Sequence, residues 1–128
     1  MTTIHNINDS VVCLHVKLPV QITDTRWIHD EVLHHIIRML DTKQKCTLYF
    51  DTSQIKKLPI IPCIKVMVAF MKEYDPKLRL FLKGSAMLVT TKLARSFLTM
   101  LFKVKPPVAP LKLVKSEESG YEFLRSLC

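Results

Sequence analysis

The sequence predicts an α/β domain: a mainly parallel sheet of four to five strands with four helices, in the order β-α-β-α-β-α-β-α. Three observations predict it. Short runs alternate or are apolar throughout, longer stretches of helical period stand between them, and capping residues and prolines mark the boundaries. Strands separated by helices call for crossover connections, which are right-handed. At 128 residues, without a repeat or linker, the chain 1–128 has the length of a single domain.

Residues 11–18 alternate, with Val12, Leu14, Val16 and Leu18 on one side and Cys13, His15 and Lys17 on the other, the period of a half-buried strand. Residues 1–9 supply either a short edge strand over 4–7, closing a hairpin across Asn8, Asp9 and Ser10, or a flexible start. After Pro19 the period becomes helical. Asp24 or Thr25 caps a first helix running to about Asp41, with Ile28, Val32, Ile36 and Leu40 as its apolar stripe. His29, His34 and His35 fall off that stripe and read as solvated. Residues 46–51 form a short apolar strand ending on Asp51, and Leu58-Pro59 opens a second helix with Ile60, Ile64, Met67, Val68 and Met71 facing inward.

Asp75-Pro76 is expected to stop that helix, so that residues 78–82 form a strand, interrupted at Gly84-Ser85 and continued by 86–89. Thr90 or Thr91 caps a third helix over about 92–103, whose apolar residues Leu93, Ala94, Phe97, Leu98, Leu101 and Phe102 cover more than half its circumference. A proline-rich loop leads to a last strand, 111–114. Ser116 then caps a final helix packed through Tyr121, Leu124 and Leu127, with Glu117 and Glu118 in its first turn.

The net charge is +8, and from Pro76 to Lys115 nine basic residues stand without an Asp or Glu. A positive field over the C-terminal half is expected, centred on Lys83, Lys92, Arg95, Lys103 and Lys105. Cys13, Cys46, Cys63 and Cys128 are far apart and contain no C-x-x-C pair, which suits reduced, mostly buried thiols and a cytoplasmic location rather than zinc. The polar start lacks a secretory signal, and no apolar run reaches the roughly 20 residues of a membrane span.

The strand end Leu48-Tyr49-Phe50-Asp51-Thr52-Ser53-Gln54-Ile55 and the tail 111–124, with Ser116-Glu117-Glu118 opening its helix, resemble the STAS domain family, the fold of the bacterial anti-sigma factor antagonist. The stretch from Tyr74 through Leu82 and the helix after it look like the C-terminal half of the CRAL-TRIO lipid-binding domains. The STAS resemblance implies a regulatory domain that binds proteins. It makes Asp51, Thr52 and Ser53 a switch loop, because the family's phosphorylated serine has no hydroxyl counterpart in residues 58–62.

No G-x-S-x-G, Walker loop, dinucleotide fingerprint or HExxH occurs, and the only glycines are Gly84 and Gly120. Asp51 reads as a loop anchor and Cys63 as a buried thiol. The expectation is therefore a non-catalytic regulatory or scaffolding domain with no cofactor and no metal. Its partner is a protein, a second copy included. A peripheral module on anionic lipid, using the basic apolar third helix, is the alternative, and an enzyme with an unrecognised site comes third. Nucleic acid fits poorly, because the basic block offers only Phe81, Phe97 and Phe102 for stacking.

Overall fold

A computed structural model describes residues 2–8 and 10–128; Met1 and Asp9, both within the expected edge segment 1–9, lie outside the described residues. The edge strand forms. β1 (Thr2–Asn8) pairs antiparallel with β2 (Val11–Lys17), and the Asn8 side-chain oxygen accepts the backbone N–H groups of Ser10 and Val11 at 2.9 and 3.0 Å across the turn. β3 (Cys46–Asp51), β4 (Leu82–Leu88) and β5 (Leu111–Val114) then join in parallel, giving a five-stranded sheet in the order β1-β2-β3-β4-β5.

A sheet that grows in one direction through right-handed crossovers collects its crossover helices on one face. These are α1 (Arg26–Ile28), running through a π-helical turn (His29–Leu33) into α2 (His34–Asp41), then α3 (Ile60–Glu73), α4 (Asp75–Phe81) and α5 (Lys92–Val104). They bury Leu14, Val16, Leu48, Phe50 and Met87 in one large core. The other face is covered by α6 (Glu117–Ser126), through a small cluster of Cys13, Tyr49, Ala86 and Leu124.

Two expectations fail at the same place. Residues 78–82 were expected as a strand, but 75–81 are helical, so five helical bodies replace the expected four. Pro76 sits in the first turn of α4, where its missing N–H has no intrahelical acceptor to lose, and Tyr74 serves as the hinge after α3. Leu78 is buried once per turn while Leu80 is exposed, a helical rather than a strand pattern. β4 also runs on through Gly84-Ser85, with its irregularity one residue earlier, where the register against β3 shifts between Leu82 and Gly84. Gly84 marks a close approach: a Cβ there would meet the Leu127 side chain and come 2.9 Å from the Pro110 carbonyl oxygen.

Thr91 is the cap of α5, its hydroxyl accepting the Ala94 N–H at 3.2 Å. The breadth of the α5 apolar face is accounted for by packing. Ala94, Leu98 and Leu101 are buried, Leu93, Phe97 and Phe102 are half-buried against the same core, and α5 touches α3.

Gly120 brings α6 down onto β3, because a Cβ at that position would lie 2.6 Å from Cε1 of Tyr49. Glycine to alanine inside a helix ordinarily stabilises by about 1 kcal/mol. Here the sign reverses: Gly120→Ala is expected to destabilise by about 1 to 3 kcal/mol through overpacking. Urea unfolding monitored by far-ultraviolet circular dichroism measures the change.

Candidate functional site

In open parallel sheets the loops beyond the strand C-terminal ends gather functional groups. At this end Asp51 closes β3 and accepts both the backbone N–H and the hydroxyl of Ser53, at 2.9 and 2.6 Å. Thr52 is buried, and its hydroxyl and backbone N–H both donate to the Leu88 carbonyl, at 2.6 and 3.0 Å. The expected switch loop is therefore a hydrogen-bonded brace between β3 and β4. Ser53 is its half-exposed hydroxyl.

The expected basic residues do not converge on one patch. Lys92, Arg95 and Lys103 stand three and eight residues apart on α5 and, with Ser96 and Thr99, line its exposed outer face. Lys83 lies at the opposite, N-terminal end of β4. The Lys105 ammonium is 3.2 Å from Asp75 and its side chain is only 20% exposed. Asp75 also holds Arg79 at 2.7 Å, and Asp41 holds Lys77 at 2.9 Å. The acid-free block of the sequence is thus partly neutralised by acids from outside it, and Asp75 is kept below the usual carboxylate range by its hydrogen bonds to Arg79 and Lys105.

On the α6 face the fold assembles a cluster that no local pattern announced. His15 on β2, His5 on β1, Tyr49 on β3 and Tyr121 on α6 form a tilted aromatic stack, with ring centroids 4.7 Å apart for His15 and Tyr49 and 4.9 Å for Tyr49 and Tyr121. Nδ1 of His15 shares a 2.6 Å hydrogen bond with the Tyr121 hydroxyl, and its Nε2 lies 3.7 Å from Glu117. Burial raises both phenols, Tyr49 to about 12, so neither is a ready base or nucleophile. The Tyr49 hydroxyl is buried and has no hydrogen-bond partner among the described residues. Burial likewise raises the thiols of Cys13, Cys46 and Cys63, that of Cys46 to about 12, which keeps them protonated and inert.

His29 and His34 line a groove of about 780 Å³ between the first helical body and α3, and among the described residues no group of ligating side chains is arranged for a metal. Also among the described residues, no helix is long and apolar enough to cross a membrane. No family model, no curated protein and no solved structure matches the chain. The geometry of the chain itself is what bears on its role.

Burial lowers the His15 pKa below its ordinary 6.5, with Glu117 opposing and His5 assisting. A depressed histidine favours the unfolded, protonated chain as pH falls. Its contribution is therefore present above the unfolded value and lost on acidification through the folded one. Between about pH 7.5 and pH 5 the wild type should lose more stability than His15→Gln, and parallel thermal melts of the two across that range measure the difference.

Proposed function

We propose that the chain is a STAS-like regulatory or scaffolding domain that works without catalysis, by binding a protein partner through the outer face of α5. Support for the fold assignment comes from the leading antiparallel hairpin, the four parallel strands laid down in chain order, the braced loop Asp51-Thr52-Ser53 and the Ser116-capped last helix. The observation that carries the binding reading is the α5 stripe. Lys92, Arg95, Ser96, Thr99 and Lys103 are exposed on one face of a helix whose opposite face packs into the core, and no acid faces the three cations among the described residues. An acidic surface complements such a stripe.

A second reading has its own observation. Met100 and Val104 are exposed beside Lys103, Val104 at 59%, and apolar side chains next to lysines also suit an anionic lipid surface.

A photo-crosslinking residue at Ser96 in the living host tests the first reading. The expected result is a discrete protein adduct that disappears when Lys92, Arg95 and Lys103 are all changed to glutamate; an adduct indifferent to charge reversal contradicts it. Flotation with phosphatidylserine vesicles at low salt tests the second, and binding there that is lost in the same triple variant would favour lipid over protein.

A further inference from the structure

We infer that the outer edge of β1 is a self-association surface, on which a second copy of this chain pairs strand to strand, antiparallel about a two-fold axis at Ile4. Such a pairing joins two five-stranded sheets into one. The surface lies at the edge of the sheet away from α5 and does not rest on the reading of the α5 stripe.

The two edges of the sheet are unlike. β5 is four residues long, follows Pro110 and carries Lys112, with Lys115 just beyond, features that keep an edge from pairing. β1 is seven residues long and contains no Lys, Arg, Asp, Glu, Pro or Gly, and Ile4 is 51% exposed on it. Its register shifts only at the end, between Asn6 and Asn8. Hydrogen-bond directions show which of its backbone groups are open. In a strand the N–H and C=O of one residue point to the same side, and successive residues alternate. The Val12 N–H donates to the Lys45 carbonyl and the Leu18 N–H to the Asp51 carbonyl, so Val12, Leu14 and Val16 are turned toward β3. Cys13 and His15 are turned toward β1, where they stand opposite His5 and Thr3. Thr3 and His5 therefore bond to β2, and the backbone groups of Thr2, Ile4 and Asn6 point away from the sheet.

These open groups are symmetric about Ile4. A two-fold axis there sets Ile4 against its own copy and Thr2 against Asn6, pairs that exchange roughly six N–H···O bonds in all. The irregular end at Asn8 stays outside the pairing, and the two exposed Ile4 side chains become direct neighbours. Charge suits the arrangement. β1 brings no like charges into opposition. On the α6 side Glu117 lies 3.7 Å from His15, toward the Thr3 end of β1. Arg125 lies about two turns further along α6, which runs on until Leu127 reaches Gly84 at the start of β4, so it stands toward the Asn8 end. The two-fold exchanges these ends, and the carboxylate side of one copy comes level with the guanidinium side of the other. The α5 cations do not oppose the contact. α5 links β4 to β5, and β4 is three strands from β1 at about 4.8 Å per strand, beyond the roughly 8 Å over which physiological salt screens charge.

Interfaces below about 1,200 Å² in total are weak, so sedimentation velocity of the full chain is read from about 1 to 300 µM. The expected result is a monomer that passes into a dimer as concentration rises. Ile4→Pro removes an N–H that β2 does not use, so the monomer keeps its ladder while the dimer loses that donor from each copy. Ile4→Lys sets like charges directly opposite each other. Each should weaken dimerisation at least about tenfold. The Ile4 side chain is exposed, so Ile4→Lys keeps the fold and decides the matter if the proline variant does not. Amide exchange of the wild type, followed by NMR, reads the pairing directly. The Ile4 and Asn6 amides should slow as concentration rises, while those of Thr3 and His5 are protected throughout. A chain that stays monomeric across the range, the outcome if this edge serves a strand of another protein, would overturn the inference. So would a dimer indifferent to Ile4→Lys, or concentration-dependent protection that appears on α5 and not at Ile4 and Asn6.

Discussion

The close approach of Gly120 to the ring of Tyr49 is the contact on which the second layer depends. A parallel sheet is stable when both faces are covered, yet a sheet built in one direction sends every crossover helix to the same side. Here α6 must cover the other face, and Gly120 lets it sit close enough for Tyr49, Ala86 and Leu124 to be fully buried. Among the described residues the approach leaves the Tyr49 hydroxyl without a partner, while Tyr121 finds His15. An unpaired buried hydroxyl costs about 1 to 3 kcal/mol, and the stacked rings around it offset part of that. The α6 layer is therefore the thin side of the molecule, held by a small cluster against a core that runs the length of the opposite face.

Charge is arranged by the same topology. Asp75 lies at the start of α4 and reaches Lys105 just beyond the end of α5, so one carboxylate ties two crossover helices together and removes two cations from the positive surface. What remains includes the outer face of α5, whose inner residues Ala94, Leu98 and Leu101 pack into the main core.

Much of the fold was legible in the sequence. The alternation of Val12, Leu14 and Val16, the apolar run ending at Asp51, and the caps Thr91 and Ser116 each report a local preference that packing did not override. The failure at 78–82 also has a local cause. Asp75-Pro76 signals a helix end, and the same residues serve equally well as a helix start. Only the burial of Leu78 with exposure of Leu80 distinguishes the two, and burial is a tertiary fact. The sites were less legible for a related reason. His5, His15, Tyr49 and Tyr121 come from four elements and meet only through strand register and the seating of α6. The pairing of Lys105 with Asp75 spans 30 residues, so a count of acids within the basic block could not anticipate it.

Heavy cover on one face of the sheet and thin cover on the other give the two layers different local stabilities. Native-state hydrogen exchange across added denaturant tests it most directly, because it resolves cooperative opening units within one molecule. The amides of β3 and β4 should exchange only through global unfolding, and those of α6 through an earlier opening of lower free energy that leaves the main core intact. If the α6 amides merge with those of β3 in one global transition at every denaturant concentration, the thin layer is not a separate unit and the account is contradicted.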